Sequence, residues 1–237
     1  MNNPLWQLGC IFLLFLCVVW NRAAWGDPKW PLLALAATVG VWVLLALYVI
    51  AATIWGFYRG LVGDEIGSLS AFMLLLAIVP LLSVVVFLFK ALQVPPIHDI
   101  STDVSHPPEF ILVKEVRHAS HNSLLYASQN AELQNKAYPN VNTFTASLTP
   151  SELFFVVEKV IHKLGWSVHG VDKDSGIIEA YDMTPLLQFV DDIVIRITPG
   201  VEAGSQLDIR SASRIGKSDL GANAARIQLF FEVLSQQ

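Results

Sequence analysis

Charge is scarce in this sequence: Asp, Glu, Lys and Arg make up 15% of its 237 residues, against 54% hydrophobic residues. With a mean hydropathy of +0.51, that is too apolar for an ordinary soluble domain, and a membrane protein is the first reading. Basic residues are fewer than acidic ones, 15 against 20, and the net charge of -5 leaves no extended cationic surface. Nucleic acid is therefore not an expected partner, because its binding depends on neutralising many phosphates. Cysteine is nearly missing. Cys10 and Cys17 lie two helical turns apart in one apolar run, about 10 Å on a helix, which excludes an intrahelical disulfide. Catalytic and cofactor signatures are missing too. No HExxH, CxxC or GxSxG occurs, and Ser211 and Ser213 have no base at a defined offset. His98, His106, His118, His121, His162 and His169 follow no ligand spacing, so neither a metal nor a cofactor is expected.

Ionisable side chains are also lacking from three long runs, 4–20, 30–58 and 66–89. About 20 helical residues cross a bilayer, so the first run is short, the second long and the third comfortable, and all three are expected to span. Without intramembrane charge they form neither a proton relay nor an ion path. Trp6, Trp20, Trp25, Trp30, Trp55 and Tyr58 cluster near the ends of the runs, as headgroup anchors do. Pro80 lies within the third run and reads as a tolerated proline or, less readily, a hinge. Residues 1–94 are expected to form a three-span membrane anchor, and 95–237 an exposed domain.

In that domain, prolines and small polar residues interrupt any periodicity over 95–148, which reads as an extended arm. The core is expected over 149–237. Thr149-Pro150-Ser151-Glu152 is a helix start with Thr149 as cap, and Leu153, Val156, Val157, Val160, Ile161 and Leu164 form its apolar stripe. Gly165 ends the helix. Strands follow over 166–171, 177–182, 192–198 and 207–215, and a closing helix carries Leu220, Ile227, Phe231 and Leu234 on one stripe. The fold class is therefore α+β: three transmembrane helices, then a two-layer domain of helix, four-stranded antiparallel sheet and helix.

The densest constellation is the stretch 206–234. With period two, Leu207, Ile209, Ser211, Ser213 and Ile215 fall on one face, and Asp208, Arg210, Ala212 and Arg214 on the other. Pairing with the preceding strand brings Asp192 and Arg196 to that charged face. Asn223 and Arg226, one turn apart on the closing helix, face a common partner. These seven residues are the candidate ligand site. The functional reading is an anion-binding patch built on guanidinium forks. An ion-pair network on a solvated sheet face is the favoured bland one, although exposed pairs contribute only about 0–1 kcal/mol. Ser218 or Asp219 is placed to accept the first free N–H groups of the closing helix.

The runs DIRSASRIGKSDLGANAARI (208–227), DDIVIRI (191–197), PPIHDISTD (95–103) with the following PPEF, and AYPNV (137–141) together resemble the bacterial family catalogued as domain of unknown function 1499. The resemblance covers the chain from about residue 94 to the C-terminus and implies no activity. Positive residues around the runs mildly favour a cytoplasmic domain. The resemblance instead implies a multi-pass protein of the inner membrane with its C-terminal domain in the periplasm. The expected function is a non-catalytic interaction or scaffold module of the cell envelope, meeting membrane lipids and a partner protein or anionic ligand. The alternative is a carrier of a lipid or small apolar ligand between sheet and helix, and an enzyme comes third.

Overall fold

The computed structural model describes residues 91–237, apart from 185–188 and 201–202, together with scattered helical positions between 40 and 89. The chain divides into two compact units, Met1–Leu92 and Gln93–Gln237. The three expected spans fall largely outside the described residues, and among the described residues no helix is long and apolar enough to cross a membrane. The second unit is an α+β domain.

Helix α2 (Pro150–Lys163) starts where the sequence says it should. Thr149 Oγ1 accepts the Glu152 N–H and Glu152 Oε2 accepts the Thr149 N–H at 2.9 Å, so two free donors at the helix start are occupied reciprocally. Leu153, Phe154, Val157, Val160 and Ile161 form the buried face. Strands β3 (Ser167–Asp172), β4 (Ile177–Met183), β5 (Val190–Pro199) and β6 (Ser205–Ser213) follow as an antiparallel meander. Gly176 makes the β3–β4 turn at φ +67°, and a Cβ there would collide with the Ile197 carbonyl oxygen, so only glycine fits. Helix α3 (Ala222–Leu234) closes the chain. It buries Asn223, Ala224, Arg226, Ile227, Phe230 and Leu234. Its inward stripe therefore runs through Phe230, with Leu220 left exposed and Phe231 at the margin.

The sheet has six strands, a correction to the expected four. The additional strands come from the segment read as an arm: β1 (Asp99–Ser101) and β2 (Phe144–Ala146). Both pair antiparallel with β6, end to end along its outer edge, β1 against residues 210–212 and β2 against 205–207. Three residues are too few to show alternation, so the sequence offered no strand signal there. Helix α1 (Asn130–Ala137) helps hold β1: buried Gln134 accepts the Ser101 N–H at 3.0 Å and donates to the Ser101 carbonyl at 2.6 Å. A side-chain amide thus takes the place of a further strand at this edge.

Two layers also become three. On one face α2 and α3 pack over Ile178, Ala180, Ile193, Ile195, Leu207 and Ile209, with Val157, Val160, Ile227 and Phe230 fully buried between. On the other face, residues of the arm lie over the sheet. Phe110 and Val113, both fully buried, pack with Ile177, Val194 and Ala212. The charged face is therefore roofed where a solvated surface was expected.

Candidate functional site

The register matches the sequence pattern. Arg196 lies opposite Asp208, Val194 opposite Arg210 and Asp192 opposite Ala212, so Asp192, Arg196, Asp208, Arg210 and Arg214 share the arm-side face. Asn223 and Arg226 do not join them: they sit on α3, against the other face. The seven candidates therefore divide into four ionic groups, each built around different partners.

Arg210 is 2% exposed. Its Nε donates to Asp99 Oδ1 at 2.9 Å and its Nη2 to Asp99 Oδ2 at 2.7 Å, a bidentate pair. Nη1 and Nη2 also donate to the Pro108 and Leu124 carbonyls of the arm. The rings of Phe110 and Tyr126 flank the guanidinium at 4.9 and 5.5 Å. Burial, then the nearby Asp99, pushes the Tyr126 phenol up to about 12, with Arg210 opposing. Beside this residue a cleft of about 350 Å³ is lined by Pro107, Glu109, Phe110, Lys114, Leu125 and Tyr126.

Arg196 bridges Asp208 at 2.8 Å and Asp103 at 3.2 Å. Thr102 and Thr143 hydroxyls donate to the other oxygen of Asp208. This group has two carboxylates for one guanidinium.

The third group has the opposite balance. Asp192, fully buried, is shared by two arginines. Arg117 Nε donates to its Oδ2 at 2.7 Å, while Arg214 donates from Nε to Oδ2 at 3.0 Å and from Nη2 to Oδ1 at 2.7 Å. Burial works to raise the Asp192 carboxyl, but hydrogen bonds and charge from Arg214 and Arg117 overcome it and hold it below the ordinary carboxylate range. Burial, set against Asp192, lowers Arg117 from its usual value, although a guanidinium stays protonated in proteins. Arg117 is fully anchored, its Nη1 on the Asn122 carbonyl and its Nη2 on the Ala212 carbonyl. His169 Nε2 lies 3.3 Å from both Asp192 Oδ1 and Arg214 Nη2. Arg214 Nη1 has no hydrogen-bond partner among the described residues.

The fourth group pins α3 to the sheet. Arg226 donates to Asp182 at 3.0 Å, to Asp191 at 2.7 Å and to Ser211 Oγ at 3.1 Å. Asn223 Oδ1 accepts from Arg226 at 2.6 Å and from Ser211 at 2.6 Å, so Asn223 and Arg226 do face one partner, Ser211. Asp219 accepts the Gly221 and Asn223 N–H groups, as expected of a residue before a helix. Burial raises its carboxyl, with these N–H groups opposing.

Asp99, Asp103, Arg117, His169 and Glu179 carry no mark in the sequence as partners of this face. Among the described residues Glu179 forms no ion pair. Fully buried, it accepts the N–H groups of Ile111, Leu112 and Val113, the start of the short 3-10 helix Leu112–Glu115. A carboxylate set among Ile177, Ile178 and Ala180 is the one signal that points to it.

A helix-covered antiparallel sheet whose polar face is roofed by its own N-terminal arm defines the class: an α+β domain with internal ionic groups. Residues 99–234 match the family model described as protein of unknown function (DUF1499), which covers more than half of the chain. The chain belongs to that family. No curated protein matches it.

Proposed function

We propose that the domain is a non-catalytic interaction module of the cell envelope that grips an anionic group of an envelope component through Arg214. One observation carries this reading: Arg117 and Arg214 share a single carboxylate, which leaves one positive charge over and the Nη1 of Arg214 without a partner among the described residues. The other arginines of the expected patch are neutralised within the fold, Arg210 by Asp99 and Arg196 by two aspartates. Against the carrier reading stands the helix side of the sheet, where Val157, Ile193, Ile195, Ile209, Ile227 and Phe230 are fully buried among one another. An apolar ligand would have to displace them. Placement on the extracytoplasmic side is part of the proposal and is supported by the family likeness. Cysteine labelling at Ser123, an exposed arm position, in intact and lysed cells tests it.

The test of the module is a titration of the full-length protein in neutral detergent with acetate and with an Asp/Glu-rich peptide, read by side-chain NMR. Saturable shifts confined to Arg214 and its neighbours, lost in Arg214→Gln, support the reading. Native mass spectrometry of the same sample separates the alternative, because a copurified small apolar molecule appears only with a carrier.

A further inference from the structure

The same cluster carries information about what the anion is, and this step rests on the module reading. Three elements bring groups to it: the end of β6 brings Arg214, β3 brings His169, and the arm brings Arg117 and His121. The arm segment is fixed there by its backbone. Asn122 N–H donates to the Arg214 carbonyl at 2.7 Å, and the Asn122 amide donates to the Ser213 and Gly216 carbonyls at 3.1 and 2.8 Å. His121 Nδ1 accepts the His118 N–H at 3.2 Å, and its Nε2 has no partner among the described residues. The His118 ring stands edge-on to it at 5.3 Å. On the far side, the His169 ring lies against Tyr181 at 4.7 Å.

The geometry of Arg214 limits the ligand. A planar carboxylate binds arginine best through the side-on fork of Nε and one Nη. In this protein that fork is taken by Asp192, and the remaining Nη2 direction faces His169. What is left is the N–H pair of Nη1, beside the arm segment that carries His121 and is tied to the Arg214 carbonyl through Asn122. Such an array suits a ligand with several oxygens directed in three dimensions. We infer that the Arg214–His121–His169 cluster is a receptor for a phosphate-type oxyanion, either free phosphate or a lipid phosphomonoester headgroup. Arg117 is a positioning residue, which holds Asp192 and the arm in place and makes no contact with the ligand.

The electrostatics agree. Burial, then the facing Arg214 and Arg117 guanidiniums and His118, lowers the His121 imidazole below the ordinary histidine range, with Asp192 opposing. An anion seated among these cations offsets the part of that shift that comes from Arg214, Arg117 and His118. Binding therefore draws a proton onto His121, which adds a second positive charge to the site when it is filled.

The experiment is a histidine-selective NMR titration of the full-length protein in neutral detergent. The probes are inorganic phosphate, dihexanoyl phosphatidic acid and dihexanoyl phosphatidylcholine. Phosphate or phosphatidic acid is expected to shift the His121 and His169 signals saturably and to raise the pH midpoint of His121. The apparent Kd should weaken about tenfold or more in Arg214→Gln, as for loss of a charge-assisted hydrogen bond. Lys163→Gln, on the exposed end of α2, should leave it unchanged. His121→Ala, which removes no buried group, should keep the fold and abolish the proton uptake measured on adding phosphate. A response to both phosphate and phosphatidic acid means the phosphomonoester alone is recognised, and a response to phosphatidic acid only means a lipid headgroup. Acetate binding without phosphate binding would overturn the oxyanion assignment and leave the module standing. No response to any of these anions, or a phosphate response that persists in Arg214→Gln, would overturn both.

Discussion

Asp99 and Arg210 lie 111 residues apart and form a bidentate ion pair with N–O distances of 2.9 and 2.7 Å, in which neither side chain exposes more than 4% of its surface. The pair ties the start of the arm to the last strand. Removing one member of a buried pair leaves the other charge uncompensated, which costs about 3–5 kcal/mol. Arg210→Ala is therefore expected to lower the unfolding free energy by that amount, while Asp99→Leu/Arg210→Met loses much less than the two single changes added together. A double-mutant cycle in urea measures it.

Glu179 is the hinge pin of the arm. In Glu179→Gln only one oxygen remains to accept the three N–H groups of residues 111–113, and each unsatisfied buried donor costs about 1–3 kcal/mol. The expected result is faster amide hydrogen exchange at Ile111, Leu112 and Val113, with little change in β4 or β5. Exchange that accelerates uniformly across the sheet would mean Glu179 supports the whole domain and has no special tie to the arm.

Much of this fold is legible in the sequence. The reciprocal cap at Thr149 and Glu152, the four longer strands and both covering helices are local patterns, set by spacings of a few residues. The sharing of one face by Asp192, Arg196, Asp208, Arg210 and Arg214 follows from alternation and register. What alternation cannot say is whether a face is wet. The roof comes from Phe110, Val113 and Leu124, in a segment without period, and the partners Asp99 and Arg117 reach β6 and β5 across 111 and 75 residues. For that reason the face reads as solvated in the sequence, and Arg210 reads as available to a ligand although the fold uses all but one of its N–H groups.

Two aspartates give the domain opposite responses to acid. The Asp192 carboxyl is held below its ordinary value by Arg214 and Arg117. Its contribution to stability is thus present above the unfolded carboxylate value of about pH 4 and is lost as pH falls through the lower folded value. Burial raises the Asp219 carboxyl, so its contribution is present below the unfolded value and is lost as pH rises through the higher folded one. Urea midpoints from about pH 3 to about pH 7 should show Asp192→Asn destabilised at neutral pH but less sensitive to acid. Asp219→Asn should gain on the wild type as pH rises from about 4.

Gly221 precedes α3 at φ +85°, a conformation that L side chains rarely adopt, while the nearest atoms a Cβ would meet, Tyr138 Oη and Val94 Cγ1, are 3.4 and 3.6 Å away. The requirement is conformational and only secondarily steric. Gly221→Ala should cost about 1–2 kcal/mol, and Gly221→Asn less, because asparagine tolerates the left-handed region. Thermal unfolding of the two variants side by side reads the difference.

Among the described residues, the Arg117–Asp192–Arg214 group is the ionic group of this face with more guanidiniums than carboxylates, and Nη1 of Arg214 has no partner in it. Arginine side-chain NMR of the full-length protein, with and without inorganic phosphate, tests this most directly. The account predicts that the Nη1 protons of Arg214 exchange fast in the free protein and shift and slow when phosphate is added, while those of Arg210 and Arg117 are slow and unchanged throughout. Arg214 Nη1 protons already protected in the free protein and indifferent to phosphate would contradict it.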